Sequence, residues 1–271
     1  MPELPEVETV ARGLSELLVG RRFTAVHIRW PRTVVQPEAE RFAQELVGRE
    51  IRSVGRRGKY VVMGLDRGCL LIHLKMSGRL SVEPAGDPVD GHTHTLFDLD
   101  DGFQLRFRDV RKFGRVYLVQ EMDQVTGILG PEPLAEDLTL EGFAALLARR
   151  SGRLKALLLN QTFLAGLGNI YADESLFAAG LHPLRKANSL TAEEQARLYH
   201  AIRGVLSQAV DGRGTTLEDR GYVDATGQPG SYQTRIAVYG RTGEPCAVCG
   251  AAIERIVVGG RSTHYCPRCQ A

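Results

Sequence analysis

Four of the five cysteines occur near the C-terminus as two Cys-x2-Cys pairs, Cys246 with Cys249 and Cys266 with Cys269. The sixteen residues between the pairs fall within the spacing of four-cysteine zinc sites. In such a site four thiolates surround one Zn²⁺ at about 2.3 Å, so the ion is structural and has no open position for water. The pattern predicts a small zinc-bound segment, with an iron centre or unrelated thiols as the alternatives. The fifth cysteine, Cys69, lies in an apolar run and is predicted to be a buried thiol.

Two strand-like runs, 253–258 and 262–265, lie between the cysteine pairs. Gly259-Gly260 separates them, and such a pair is typical of a two-residue hairpin turn. Arg261 is therefore expected at or beside the tip of a hairpin that the metal keeps rigid. A cation held in that place can reach into a bound molecule, whereas a solvated turn arginine is the alternative interpretation.

The length of 271 residues predicts about two domains. Hydrophobic residues make up 43% and charged residues 24%, so a core can be buried and global disorder is not expected. No run of about 18 apolar residues is present, so no membrane span is expected. The acidic start, Met1 to Glu6, lacks the apolar stretch of a secretory signal. We therefore expect a cytoplasmic protein whose thiols are reduced.

Positive charge is unevenly distributed, although the formal net charge is only +2. Residues 21–60 carry ten cations and four acids, a local excess of six, and 29 of the 34 cations in the chain are Arg. The planar guanidinium suits phosphate, so a basic face on a near-neutral protein fits nucleic acid. A solvated surface combined with an Arg-favouring codon bias is the alternative.

Three stretches of the chain differ in their hydrophobic pattern. Within residues 1–130, an amphipathic helix is followed by short alternating runs that predict an antiparallel sandwich or barrel. A linker at 127–133 leads to the stretch 134–212, which has helical spacing. The polar, glycine-rich segment 211–233 is long for a connection in a compact protein. Such a segment is often a functional loop, for example a lid, and a disordered connector is the alternative.

The segment from Gly166 to Glu174 is a second motif that indicates binding. Asn169 can cap the helix that follows, and the glycines allow tight turns and close approach of the backbone. With the helical run 154–159 before it, the segment predicts two helices joined by turns, whose N–H groups can bind phosphate. A helical hairpin that binds nothing is the alternative.

The N-terminus is the third motif with possible chemistry. Pro2 is small enough that removal of Met1 is expected, which leaves a secondary amine. An α-amino group has a pKa of about 7.7–8.0, so part of it is unprotonated at neutral pH and can form an iminium ion with an electrophilic carbon. Glu3 lies beside it and could transfer protons. An ordinary exposed terminus is the alternative.

Taken together, these residues resemble the formamidopyrimidine-DNA glycosylases, bacterial repair enzymes for oxidised purines. The resemblance runs the whole length of the chain in the expected order. Its motifs are the segments 2–8, 58–60, 73–78, 111–114, 168–172, 214–217 and 238–241 and the four cysteines. Endonuclease VIII is similar but typically has Gly where this chain has Leu4, so Leu4 favours the purine-repair branch.

The resemblance implies a role for each matching residue. Pro2 is the nucleophile that attacks C1′ of the damaged nucleotide, and Glu3 is the proton donor and acceptor beside it. Lys59 assists lesion processing and β-elimination, and Arg261 binds phosphate and assists δ-elimination. The other residues implied to contact DNA or the site are His73, His92, Lys155, Asn169, Tyr239 and either Arg150 or Arg153.

Three further residues, Met76, Arg111 and Phe113, resemble the family's probes, which fill the gap left by a flipped nucleotide. A lesion inside a duplex must be flipped out before it can be attacked. Apolar wedges then replace the lost stacking, and a guanidinium can bind the orphaned partner base. Two details depart from a clean match: His94 lies close to His92, and Val110 stands where Pro or Lys is common.

The resemblance implies an α+β multidomain fold in three parts. Residues 1–130 form an N-terminal helix plus an antiparallel β-sandwich that carries the catalytic residues. Residues 131–236 form a helical domain with a helix–two-turn–helix motif and a lesion-capping loop at 211–233. Residues 237–271 form a zinc hairpin with one structural Zn²⁺.

The implied function is base-excision repair by a bifunctional DNA glycosylase and AP lyase. It would excise 8-oxoguanine and formamidopyrimidines and cleave the strand by β,δ-elimination through a Schiff base at Pro2. The expected partner is damaged double-stranded DNA, and the expected form is a cytoplasmic monomer that associates with the nucleoid when bound to DNA. The alternatives are an endonuclease VIII-like enzyme for oxidised pyrimidines and a non-catalytic DNA-binding regulator, which has no use for a free proline amine.

Overall fold

The computed structural model describes residues 1–217 and 221–271, which divide into two compact units. Unit 1 contains residues 1–128 and 212–231, and unit 2 contains residues 129–211 and 232–271. Both helices and strands are present, so the predicted α+β class is confirmed. Among the described residues, no helix combines the length and the apolar content that crossing a membrane requires.

The elements follow one another in a simple order, with the strands concentrated in unit 1 and the longest helix in unit 2. The helices are α1 (Leu4–Leu18), α2 (Ala39–Leu46), α3 (Asp123–Thr126), α4 (Leu140–Ala148), α5 (Leu154–Leu159), α6 (Asn169–Ala179) and α7 (Ala192–Asp211). The strands are β1 (Phe23–Ile28), β2 (Val34–Gln36), β3 (Ile51–Arg57), β4 (Tyr60–Leu65), β5 (Cys69–His73), β6 (Gly78–Pro84), β7 (Thr93–Leu99), β8 (Phe103–Asp109), β9 (Arg115–Val119), β10 (Glu254–Val258) and β11 (Arg261–Tyr265).

Unit 1 contains two sheets. One has the strand order β1-β7-β8-β6 and the other the order β2-β9-β5-β4-β3. The predicted antiparallel pairing is confirmed, except that the short strand β2 runs parallel to β9. Burial alternates along β4: Val61, Met63 and Leu65 are buried, while the residues between them are only partly covered. One face of this strand therefore packs into the core and the other is nearer to solvent.

Helix α1 completes the core of unit 1. Its buried face includes Val7, Val10, Leu14 and Leu18, which recur at helical spacing and pack against the sheet residues. Burying each such side chain contributes roughly 1.5–3 kcal/mol. The backbone N–H of Glu3 precedes the helix and is therefore placed by the same packing that builds the core.

The segment 212–231 also belongs to unit 1, whereas the domain prediction assigned it to the helical part. Tyr222 and Ala225 join the core of unit 1. The backbone of α1 approaches Ala225 so closely that a Cβ at Gly13 would lie 3.2 Å from the Ala225 Cβ. This apolar contact with α1 gives a physical reason for the difference. Residues 218–220 of the predicted lesion-capping loop lie outside the described residues.

Two connections pass from one sheet of unit 1 to the other at the same end of the paired strands. Residues 74–77 join β5 to β6, and residues 110–114 join β8 to β9. They lie side by side, because Gly78 pairs with Asp109 in one sheet and His73 pairs with Arg115 in the other. The predicted probe residues lie on these two connections.

Unit 2 is built around α6, whose residues Ile170 to Leu176 are all buried. Helix α6 follows α5 after a turn segment, as the helix–turns–helix prediction required, and it ends at Gly180 in the left-handed conformation (φ 68°). Strands β10 and β11 form the predicted hairpin. Gly259 and Gly260 have φ values of 57° and 74°, which suit the two-residue turn.

Candidate functional site

The start of unit 1 is buried and firmly held. Pro2 is buried, and Glu3 has 2% of its surface exposed. The backbone N–H of Glu3 donates to Glu6 Oε2 at 2.8 Å, and Glu6 Oε1 accepts from the backbone N–H of Thr215 at 2.7 Å. One buried carboxylate therefore connects the predicted catalytic residues to the loop that begins at residue 212.

Sequence reasoning missed Glu6, although its spacing from Glu3 matches a helix capping pattern. The partner loop is shaped to accept it. Gly214 has φ 79°, and a Cβ there would lie 2.7 Å from Glu6 Oε1. Any larger residue at this position would push the carboxylate away from the Thr215 N–H.

The described part of the predicted lid has a specific structure. The Tyr222 hydroxyl donates to the Arg213 carbonyl at 3.1 Å, and burial raises the Tyr222 pKa. Asp224 Oδ1 accepts from the backbone N–H groups of Thr226 and Gln228, both at 2.9 Å. These bonds fold residues 221–228 into a defined turn against α1.

Lys59 lies in the tight turn between β3 and β4, directly after Gly58, and has 6% of its surface exposed. The guanidinium of Arg56 fixes this turn by donating to the Gly58 carbonyl at 3.0 Å and to Glu8 Oε2 at 3.0 Å. Although burial opposes ionisation of Glu8, Arg12 and Arg56 hold its pKa below the usual value. The carboxylate of Glu8 thus balances the charge of Arg56 beside the predicted catalytic lysine.

His73 lies at the end of β5, edge-on to Tyr60 with ring centroids 4.7 Å apart. Burial lowers its pKa to about 3, and the positive charges of Lys75 and Lys59 act in the same direction. The backbone N–H of Lys75 donates to His73 Nδ1 at 3.0 Å, which assigns the single ring proton to Nε2. His73 is therefore a neutral hydrogen-bond donor at physiological pH.

The three predicted probe residues are exposed on neighbouring loops. Met76 and Phe113 have 41% and 46% of their surface exposed. The Arg111 guanidinium lies 5.0 Å from the centroid of the Phe113 ring. Large apolar side chains exposed next to a cation are suited to contact with stacked bases.

The two neighbouring histidines differ in their surroundings. His92 is exposed, and its backbone N–H donates to Asp90 Oδ1 at 2.8 Å. His94 is buried, with its ring nitrogen Nε2 2.8 Å from the Asp109 carbonyl. Of the two, only His92 presents its ring to solvent.

In unit 2, a buried network joins α5, α6 and the hairpin. Lys155 has no exposed surface; its Nζ donates to Asp173 Oδ1 at 2.6 Å and to the Asn169 carbonyl at 2.8 Å. Asp173 Oδ2 accepts from the backbone N–H of His264 at 3.0 Å. The Asn169 side chain donates to the Ser262 carbonyl at 2.9 Å. The Lys155 ammonium is therefore buried inside unit 2, where it joins α5 to α6.

Glu174, the next residue of α6, holds the segment that carries Tyr239. Its carboxylate accepts from the backbone N–H groups of Ala237 at 2.8 Å, Val238 at 3.0 Å and Tyr239 at 2.8 Å. Burial raises the Glu174 pKa. Sequence reasoning missed both acids of α6, although two consecutive acids within a buried helix indicate a structural network.

The remaining predicted cations are on the surface of unit 2. Arg261 is exposed and begins β11 opposite Val258, next to the hairpin turn. Arg150 follows α4, and Arg153 immediately precedes α5; both are exposed, so the structure does not select one of them.

The four predicted zinc ligands, Cys246, Cys249, Cys266 and Cys269, lie together, with all Sγ atoms within 4.8 Å of one another. The Sγ atoms of Cys246 and Cys269 are 3.9 Å apart, and those of Cys249 and Cys266 are 3.4 Å apart. A tetrahedron with Zn–S bonds of about 2.3 Å has edges of about 3.8 Å. The donor set and its spacing fit one zinc ion, as predicted.

Three family models match the chain. The formamidopyrimidine-DNA glycosylase N-terminal domain matches residues 1–116, and the H2TH domain of the same family matches residues 129–220. A zinc finger found in FPG and IleRS matches residues 243–271.

The similarity to individual proteins covers the full length. A formamidopyrimidine-DNA glycosylase of Herpetosiphon aurantiacus is 51% identical over 100% of both chains. The crystal structure of the MutM (Fpg) protein of Thermus thermophilus superposes with a TM-score of 0.90 at 45% identity, covering 99% of this chain and 98% of that one. An Fpg variant of Lactococcus lactis in complex with Fapy-dG-containing DNA superposes with a TM-score of 0.92 at 38% identity, covering 99% of both chains.

Proposed function

Because the chain belongs to the formamidopyrimidine-DNA glycosylase family, we propose that it acts in base-excision repair as a DNA glycosylase and AP lyase. Its substrates are oxidised purines, namely 8-oxoguanine and formamidopyrimidines, in double-stranded DNA. It works as a monomer with one structural zinc ion, in the cytoplasm and on the nucleoid. The observation that carries the proposal is the buried Pro2-Glu3 start, held by Glu6 against Thr215. A DNA-binding regulator has no need for such a site.

Pro2 supplies the nucleophile in this mechanism. Removal of Met1 leaves a secondary amine, and α-amino groups ordinarily have a pKa of about 7.7–8.0, so part of such a group is unprotonated at neutral pH. The nitrogen attacks C1′ of the flipped nucleotide, the bond from C1′ to the base breaks, and the base leaves as an anion that takes a proton from water. Glu3 accepts the amine proton and returns one to O4′ as the sugar ring opens, which produces the iminium ion.

The iminium ion makes the C2′ proton acidic and so leads to strand cleavage. Loss of that proton expels the 3′ phosphate, and loss of a second sugar proton expels the 5′ phosphate. Lys59 assists the first elimination and Arg261 the second. Water then hydrolyses the iminium ion and releases the Pro2 amine.

The DNA backbone is bound by residues of both units. His73 donates from Nε2 to a phosphate oxygen in this proposal. Its lowered pKa and the hydrogen bond from the Lys75 N–H to Nδ1 support this role. The other contacts come from His92, which is exposed, from the partly exposed Asn169 and Tyr239, and from either Arg150 or Arg153. Lys155 contributes to the site by holding Asn169, which its buried bonds to the Asn169 carbonyl and to Asp173 support.

Met76, Arg111 and Phe113 enter the duplex at the lesion in this proposal. Met76 and Phe113 replace the stacking of the flipped nucleotide, and Arg111 offers its fork to the partner base. Their exposure and the contact between Arg111 and Phe113 support these roles.

Excision assays on defined duplexes test the function. We expect faster single-turnover cleavage of 8-oxoguanine opposite cytosine than of thymine glycol, and borohydride should trap a covalent protein–DNA adduct. Higher kcat/KM on thymine glycol would favour an endonuclease VIII-like enzyme. Binding without cleavage of either duplex would favour a regulator.

Mass spectrometry of the digested adduct tests the nucleophile. We expect the DNA fragment on the peptide that begins at Pro2, since a lysine ammonium ordinarily has a pKa near 10.4 and is a poorer nucleophile at neutral pH. Protein that retains Met1 should bind DNA but form no adduct, because its proline nitrogen is an amide. A modified Lys59 peptide with intact Pro2 would contradict the assignment.

A further inference from the structure

The two probe loops, residues 74–77 and 110–114, share an unusual backbone feature. Lys75 has φ 54° and Lys112 has φ 58°, and each lysine directly precedes an apolar probe, Met76 or Phe113. Among the described residues, the other non-glycine residue with positive φ is Arg213. Side chains rarely adopt this conformation unless the surroundings impose it. Both probe loops are therefore held in place by neighbouring contacts.

Asp109 provides the central contact. Its buried carboxylate accepts from Ser77 Oγ at 2.5 Å, from the backbone N–H of Gly114 at 2.7 Å and from the backbone N–H of Arg111 at 3.2 Å. Ser77 Oγ in turn accepts from the Arg111 N–H at 3.1 Å. One carboxylate therefore bonds to both probe loops at once.

Arg115 satisfies the opposite groups of the second probe loop. One guanidinium nitrogen, NH1, donates to the Gly114 carbonyl at 2.8 Å and to the Phe113 carbonyl at 3.1 Å. Two N–H groups of this loop are thus paired with the acid that precedes it, and two of its carbonyls with the base that follows it. Such pairing orders the loop without help from a bound molecule.

The loops also rest on a shared apolar base. A Cβ at Gly78 would lie 2.9 Å from the Phe107 ring, and a Cβ at Gly114 would lie 2.3 Å from the same ring. Asp109 itself is anchored at its backbone, where its N–H donates to the His92 carbonyl at 2.9 Å. The loops therefore have little room to move independently.

We propose that Asp109 is a positioning residue which, through Ser77 and with Arg115, locks the two probe loops into one preformed wedge. This inference rests on the proposed function, because it takes Met76, Arg111 and Phe113 to be the residues that enter DNA. A preformed wedge avoids the cost of ordering the loops during base opening. Asp109 therefore affects the opening of a paired lesion and has little effect on the elimination steps.

Asp109→Asn tests the inference, because the variant keeps the side-chain shape but places an amide where Gly114 N–H or Ser77 donates. We expect single-turnover excision of 8-oxoguanine opposite cytosine to slow about tenfold or more, since hydrogen bonds to a charged acceptor are lost. Cleavage at a preformed abasic site should stay within about twofold of wild type, because no base needs opening. The defect should shrink when 8-oxoguanine faces an abasic site, where it has no pairing partner.

Two further variants keep the test decisive. Ser77→Ala removes the two hydrogen bonds of Ser77 Oγ, with Asp109 and with the Arg111 N–H, and leaves the other bonds of Asp109 in place. It should show the same selectivity with a smaller loss, which covers the case in which Asp109→Asn does not fold. Asp66→Asn is the control: Asp66 accepts from the Arg67 N–H at 3.1 Å in the turn between β4 and β5, at the opposite end of β5 from the first probe loop. Its excision rates should equal those of wild type.

Borohydride trapping at abasic sites measures the active fraction, to which all rates are normalised. Equal losses on paired and abasic substrates, or no loss on either, would overturn the positioning role. Adding Asp109→Asn to Phe113→Ala should have little further effect if Asp109 acts through the wedge; a full additional loss would also overturn it. Failure of the proposed function is a separate outcome, visible as a wild-type protein that cleaves neither duplex.

Discussion

At the scale of single residues, the environment of each side chain decides its chemistry. His73 is the clearest case. The resemblance predicts that it contacts DNA or the site, and the structure adds that burial and two lysines keep it neutral. Its Nδ1 accepts from Lys75, so its proton is available on Nε2 for an acceptor. The same logic separates exposed His92 from buried His94.

The lowered pKa of His73 predicts a pH dependence of stability. An unfolded histidine takes up its proton near pH 6.5, whereas folded His73 does so only near pH 3. Between these values the unfolded state binds more protons, so stability falls as pH drops through this window and is unaffected by His73 above it. At pH 4.5 this difference lowers the free energy of unfolding by about 2–3 kcal/mol relative to neutral pH.

Urea unfolding of wild type and His73→Gln at pH 7.5 and pH 4.5 checks this. The wild type should lose more stability between the two pH values than the variant, because glutamine does not titrate. Equal losses in the two proteins would show that His73 titrates normally in the folded state.

At the scale of elements, α6 organises unit 2. Its buried acids hold other parts in place: Asp173 pairs with Lys155 and the hairpin residue His264, and Glu174 binds the segment of Tyr239. The surface residues proposed to meet DNA are therefore set by a network that contacts no solvent. The hairpin itself is held at its far end by the four cysteines.

Lys155→Met distinguishes positioning from direct phosphate contact. Removing one partner of a buried ion pair should cost about 3–5 kcal/mol of stability. DNA affinity should fall because Asn169 is no longer held in position. The slope of the logarithm of the association constant against the logarithm of the salt concentration should not change. A slope reduced by about 0.9 would instead show that Lys155 neutralises a phosphate. Asp173→Asn should reproduce the loss of stability.

Cys249→Ser tests the role of the metal. We expect loss of bound zinc and of DNA binding, because metal binding and folding of the hairpin are coupled and Arg261, Ser262 and His264 would lose their positions. Cys69→Ala is the control, since Cys69 lies in a separate apolar cluster and should leave the zinc content unchanged. A zinc-free variant that binds and cleaves DNA normally would contradict this account.

At the scale of the whole molecule, the chain returns to unit 1 after forming most of the helices of unit 2. Residues 212–231 supply Thr215 to Glu6 and add Tyr222 and Ala225 to the core. Unit 1 is therefore not a continuous piece of sequence. The start proposed to be catalytic is bonded to residues that lie about two hundred positions later in the chain.

A fragment of residues 1–128 should be incompletely folded for this reason. We expect faster hydrogen exchange of the α1 amides in the fragment than in the full chain, because the Tyr222 and Ala225 contacts are missing. A synthetic peptide of residues 212–231 should slow that exchange when added in excess. Equal protection of α1 in fragment and full chain would show that the segment does not support the catalytic end.

Features that depend on local spacing could be predicted from the sequence alone. Cysteine pairs, the Gly259-Gly260 turn, the periodicity of α1 and the start of α6 at Asn169 are each properties of a short run of residues, so their physical requirements are visible in that run. The resemblance added the identity of the candidate site residues. Those predictions stay to be tested by experiment.

Only the tertiary structure decided how distant residues share their charges and hydrogen bonds. Glu6 accepts a hydrogen bond from Thr215, and Lys155 forms a buried ion pair with Asp173. Asp109 bonds to two loops that lie more than thirty residues apart in the chain. A buried carboxylate or ammonium must find its partner wherever the chain brings one within about 3 Å, and no local pattern specifies that place. For this reason the positioning residues Glu6, Asp109, Asp173 and Glu174 became visible only once the fold was known.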